Sequence, residues 1–134
     1  MAKLSGSTIE PSSSRDYFIK AKEFYETMQR SYDEQLWNAV GLNAVHCAIS
    51  ASDALLAQVA GLRNTSQDHR LAADLLIEKV PYPQTKEYAG HLRKILGLKN
   101  VIEYERKLFT QKNAEEIVKH TERFYQWVKK SLDY

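Results

Sequence analysis

Between Leu98 and Glu105 the chain sets an ammonium (Lys99), a carboxamide (Asn100), a carboxylate (Glu103) and a phenol (Tyr104) within two helical turns, beside apolar Val101 and Ile102 that could anchor them. Lys99 and Glu103 are one turn apart, as are Asn100 and Tyr104. A cation and hydrogen-bonding groups on one helix face can hold a phosphate or take part in proton transfer. On an exposed helix the Lys-before-Glu order is the weaker orientation, so the pair by itself contributes only ~0.3 kcal/mol. Tyr104 also fits a plainer use, a core aromatic with its hydroxyl at the surface.

A second polar set lies upstream. Asn43, His46, Ser50 and Asp53 are spaced three, four and three apart, along one line of a segment that is otherwise nearly all apolar. Two uses of that line are open: it faces solvent with its small side chains satisfied locally, or it faces a polar cleft in which Asp53 orients His46 or a bound group. Two turns separate His46 from Asp53, which argues against a direct bond between them.

Other chemistries lack their residues. His46, His69, His91 and His120 form no pair at the one-turn spacing of a helical metal site, and Cys47 has no second thiol, so neither metal nor cofactor is expected. There is no Gly-rich phosphate loop and no nucleophile elbow. The lone Cys47 fits a reducing cytoplasm, and no apolar run is read as approaching the ~20 residues of a membrane span. The net charge is only +2, but Pro83 to Lys112 holds seven basic residues against three acidic ones. Such a segment is either a solvated Lys/Arg face or a local field that attracts phosphates.

The elements that must position these groups are helical. At 134 residues the chain is one domain, with 43% hydrophobic residues and enough length for a real core. Met1 to Ser14 is polar and Ser-rich and reads as a disordered tail, leaving 15–134 as the domain. Tyr17, Ala21, Phe24, Met28 and Tyr32 recur at helical spacing in a first helix opening at Ser13 or Ser14. After a turn at Ser31 to Glu34, with Asp33 as cap, a second helix from about Leu36 to Ala60 is apolar on most of its circumference, the mark of a central buried helix. Gly61 ends it. Thr65 or Ser66 caps a shorter helix through Leu71, Leu75 and Val80, and Pro81 and Pro83 break the chain. A fourth helix runs from Tyr88 through Ile102, bent or weakened at Gly97. A fifth opens with Asn113 as cap and Glu116 as capping-box partner. The fold class expected is all-α: an antiparallel up-and-down bundle of four long helices plus one short one.

Two segments together, Trp37-Asn38-Ala39-Val40 leading into Val45 to Leu56, and Leu96 to Glu105, resemble the HEPN superfamily of small helical bundles, and the likeness extends over residues 15 to 134. That resemblance implies a homodimer in which two motifs meet across a cleft. Many members are metal-independent ribonucleases, with an Arg, then a polar residue, then a His a few positions on. Lys99 stands where the Arg belongs, Asn100 matches, and Tyr104 stands where the His belongs. Lysine keeps the charge but loses the planar fork that grips phosphate. Tyrosine, with an ordinary pKa near ~10, is a poor proton shuttle at neutral pH. A tyrosine modified with nucleotides in one toxin–antitoxin branch is replaced here by Arg106.

The resemblance therefore implies a non-catalytic homodimeric binding or regulatory module in a toxin–antitoxin or defence setting. Its cleft, built from Asn43, His46, Ser50, Asp53, Lys99, Asn100, Glu103 and Tyr104, would take RNA, a nucleotide or a partner protein such as a nucleotidyltransferase. The alternatives are a variant ribonuclease in which Lys99 binds phosphate while Tyr104, Asn100 or His46 takes part in proton transfer, and a helical interaction protein with no ligand cleft.

Overall fold

Helix-forming residues with an apolar stripe build α1 (Ser14–Asp33) and, after a three-residue link, α2 (Trp37–Ala60). The computed structural model describes residues 4–66, 68–69 and 71–134. The link is closed by backbone bonds from Glu34, Gln35 and Leu36 to the last carbonyls of α1, with Gln35 at φ +62°. Asp33 therefore stays inside α1 and does not cap α2, whose N-cap is Leu36 without a side-chain bond. Ala44, Ala48, Ala51 and Ala54 are fully buried, and their small size lets α1 and the last helix pack closely on α2. Gly61 ends α2 at φ +61°, where an L side chain would be strained.

By length and composition α2 could cross a membrane, with a window of mean hydropathy 1.3, so the expectation that no segment approaches a span is corrected; 67% of that window is buried inside the protein. Alanine raises the hydropathy, while the same residues serve as the central packing surface.

The N-terminal segment also departs from expectation. Residues Gly6–Thr8 form β1, antiparallel to β2 (Leu62–Asn64), with Gly6 opposite Asn64 and Thr8 opposite Leu62. The Ile9 amide donates to the Gly61 carbonyl, Leu4 packs on the core, and Pro11–Ser13 make one 3-10 turn into α1. The expected disordered tail is thus ordered from Leu4 onward, while Met1–Lys3 lie outside the described residues. Pairing uses backbone groups, which a Ser-rich composition does not reveal.

Helix α3 (Leu71–Lys79) starts later than Thr65 or Ser66. Ser66 instead donates its amide to Asn64 Oδ1 and accepts from the Asp68 amide, holding the turn that carries Asp68 and His69 toward α3. The expected fourth long helix runs as two pieces, α4 (Thr85–Leu96) and α5 (Lys99–Tyr104). At the break the Leu98 amide bonds the Ile95 carbonyl, three residues back, which changes the winding before α5 resumes. The last helix, α6 (Gln111–Leu132), is capped by Thr110, whose side chain accepts from the Asn113 amide while Asn113 Oδ1 accepts from the Thr110 amide. Asn113 belongs to the capping box, but as its third residue and not as the cap.

The result is the all-α bundle, with α1, α2, the α4–α5 pair and α6 as its long members and α3 as the short one. Aromatic stacking ties α1 to α6 through Tyr25 and Tyr125 (4.1 Å), and α4 to α6 through Tyr88 and Trp127 (5.0 Å). α5 and the strand-like segment after it lie on α2 at Gly41, where a Cβ would come within 3.0 Å of both Ile102 Cδ1 and Phe109 Cε2. Asn38 Oδ1 accepts from the Phe109 amide at 2.9 Å, pinning the far end of that segment. Gly41→Ala is expected to cost about 1–3 kcal/mol and to lift α5. Denaturant unfolding and amide exchange check it: α5 amides should exchange faster than those of α6, and equal slowing or speeding of both would contradict this seating.

Candidate functional site

α5 presents its polar residues unequally. Lys99 Nζ donates to Glu103 Oε2 at 2.8 Å, one turn along, and both side chains are largely covered, 18% and 15% exposed. The other carboxylate oxygen, Oε1, lies 3.9 Å from His46 Nε2 on α2. The carboxylate thus sits between an ammonium and an imidazole. Lys99 also lies 5.4 Å from the centre of the Tyr104 ring, which is itself 74% exposed. The hydrogen bond from Lys99 holds the Glu103 carboxyl below the usual carboxylate range, and the same bond raises the Lys99 ammonium. The pair's contribution is present above the ordinary glutamate pKa and is lost as pH falls through the depressed value.

His46 packs its ring against Phe24 of α1, centroids 5.3 Å apart, so α1 fixes the imidazole that approaches Glu103. A second imidazole joins from the turn before α3. Burial lowers the pKa of His69, the Lys99 charge lowers it further, and Glu103 and Asp68 oppose, which places His69 within electrostatic reach of the same pair. His69 was not legible as a site residue. No spacing links it to α2 or α5, and only the turn at Asn64–Asp68 brings it there.

The α2 line divides. Asn43 bonds back to its own helix, Nδ2 donating to the Ala39 carbonyl at 2.9 Å, and is not brought to Glu103 by any contact. His46 joins the α5 pair. Ser50 and Asp53 are both buried at 8% exposure, so the line does not face open solvent. Asp53 faces a small cavity of about 50 Å³ shared with Ser52, Arg63, Asn64 and His69. Burial pushes its carboxyl up to about 6, against the opposing pull of Arg63, the Asn64 amide and Lys20. His69 lines that cavity and feels the charges of the α5 pair. Asn100 is exposed on α5 and reaches none of these groups by a hydrogen bond shown among the described residues.

Elsewhere, His91 of α4 and His120 of α6 meet with their Nδ1 atoms 2.9 Å apart, a pairing across helices that one-turn spacing could not reveal. Burial lowers both rings' pKa values. Among the described residues no three His, Cys, Asp or Glu side chains converge as a metal site.

The HEPN domain model matches residues 14–131. The chain belongs to the HEPN family. No curated protein and no solved structure matches it. In this HEPN chain Lys99 is covered and ion-paired, whereas Tyr104 stands in solvent. The side chain at 104 projects outward, while the imidazoles that act on the Lys99–Glu103 pair, His46 and His69, come from other elements.

Asp53 gives a pH signature. The folded state holds its proton up to about 6, whereas the unfolded chain releases it near the ordinary aspartate value of 3.8. Stability therefore falls as pH rises through that window, by up to ~3 kcal/mol, and the cost is complete above it. Asp53→Asn should gain stability relative to the parent between pH 4 and 7, read by urea unfolding at both values. Parallel curves would show that Asp53 is ionised and compensated in the fold.

Proposed function

We propose that this HEPN protein is a non-cleaving homodimeric binding or regulatory module, in a toxin–antitoxin or defence setting, with a polar inter-subunit cleft for RNA, a nucleotide or a partner protein. The observation that carries the reading is the covered Lys99–Glu103 bond. A cation committed to its own carboxylate at 2.8 Å supplies far less charge to a phosphate in flight than a free Arg would. Without an imidazole at position 104, proton transfer from the motif itself has no group poised near neutrality. The surface around the motif supports self-association. Tyr104 and Leu108 are 74% and 72% exposed, and Leu42 adjoins Gly41 where the α5 segment is seated. By resemblance, a nucleotidyltransferase is the partner protein to test first.

A second reading, a variant metal-independent ribonuclease, draws on one specific observation. His46 lies 3.9 Å from Glu103, and His69, its pKa lowered by burial and by the Lys99 charge, feels the same pair. In that reading a neutral imidazole accepts the 2′-hydroxyl proton and the other donates to the leaving oxygen.

Light scattering on the eluting peak should give the mass of two chains at micromolar concentration, and Tyr104→Asp with Leu108→Asp should give one. A monomeric parent protein overturns the shared cleft. The same preparations, incubated with single-stranded and structured RNA in chelator, should bind without cutting. Cleavage that disappears in His69→Ala would establish the second reading instead.

A further inference from the structure

The largest cavity described lies away from α5, on the other side of the bundle between α4 and α6, with a volume of about 660 Å³. Its floor is aromatic. Tyr88 and Trp127 stack there with ring centroids 5.0 Å apart and planes 5° from parallel, and Tyr82 rises at one wall, 36% exposed, from the proline-bounded turn before α4. Its rim on α6 carries Arg123 and Lys130, seven residues apart and so two turns along one face, with Glu122 as the opposing carboxylate. Gln84 and Gln126 add amide donors and acceptors.

Within the described residues these rim charges have no ion-pair partner. Among the described residues no salt bridge is made by Arg123 or Lys130, although Arg123 acts electrostatically on His91 by lowering its pKa. The core needs Trp127, which is 7% exposed and stacked on Tyr88 and near Phe124, but it does not need two cations and a tyrosine standing around an open space above it. Pro81 and Pro83 restrict the backbone on both sides of Tyr82, so the wall is held without a ligand. A cavity with an aromatic floor and convergent charged groups at one edge has the make-up of a small-molecule site.

We propose that this groove binds a planar aromatic oxyanion, its ring against Tyr82 and the Tyr88–Trp127 platform and its anionic group at Arg123 and Lys130. The ring supplies apolar burial and stacking on Tyr82, and the anion supplies the partner that the two cations lack. Glu122 disfavours a second negative charge far from the pair, so ligands with one compact anionic head are preferred over polyanions. The site stands independently of the α5 cleft and of the dimer.

Calorimetry on the full chain with phenyl phosphate and with benzoate tests it and separates the two sources of the anion. The halves, phenol and inorganic phosphate, serve as comparison. Binding of at least one aromatic anion, ten-fold or more tighter than either half, is expected, with a shift of the Trp127 indole N–H signal on titration. Arg123→Gln with Lys130→Gln, at two exposed positions and with an unchanged circular dichroism spectrum as the control for folding, should weaken it ten-fold or more. Three results overturn the proposal: saturation by inorganic phosphate as tight as by phenyl phosphate, no binding of either aromatic anion at millimolar concentration, or binding that the double variant leaves unchanged.

Discussion

The seating of α5 over Gly41 is the contact on which the site depends. α5 is only six residues long, too short to be stable by its own hydrogen bonds. It persists because Ile102 and Phe109 close over a position on α2 that has no side chain, and because Asn38 holds the amide of Phe109. That approach brings Glu103 to His46, since both project from the same junction. The break at Gly97–Leu98 serves the same end. A continuous α4 would follow α6, whereas the change in winding lets the chain cross to α2.

Charge balance follows from that placement. Lys99 and Glu103 are each partly covered, and each supplies the opposite charge that offsets the other's lost hydration. The neighbouring polar pocket is less well compensated. Asp53 is buried with Arg63 nearby but not bonded tightly enough to keep its pKa low, and a carboxyl that retains its proton to about 6 is the result. Stability is given up at Asp53 while the α5 pair is held, a contrast typical of a region arranged around a ligand or partner and not around the core alone.

Much of the bundle was legible because helical periodicity is written in side chains. The stripe Ile117, Thr121, Phe124, Val128 and Leu132 is wholly buried, and Gly61 takes the left-handed conformation its position required. What escaped was written in the backbone or in tertiary contact. The β1–β2 pairing joins Ser-rich and polar segments through amides and carbonyls. The capping residue of α6 was misplaced by three positions because Asn113 and Thr110 bond reciprocally and either fits the cap. In the candidate site, the Lys99–Glu103 spacing was visible but its covering was not, and shielding from solvent is what turns a weak surface pair into a committed one. His46 stood out by its spacing. His69, which faces the same charges, had no sequence partner at any helical interval and depended on a turn built by Asn64 and Ser66.

The account turns on Lys99 being bound to Glu103 and so withheld from the charge that develops on a reacting phosphate. Nitrogen-detected NMR of the lysine side chains measures that directly. The Lys99 ammonium should keep its proton to higher pH than the exposed lysines, and its signal should move in acid as Glu103 titrates below the ordinary glutamate range. Both features should vanish in Glu103→Gln. A Lys99 resonance that titrates with the surface lysines and ignores Glu103→Gln would contradict the account and leave the ammonium free for phosphate.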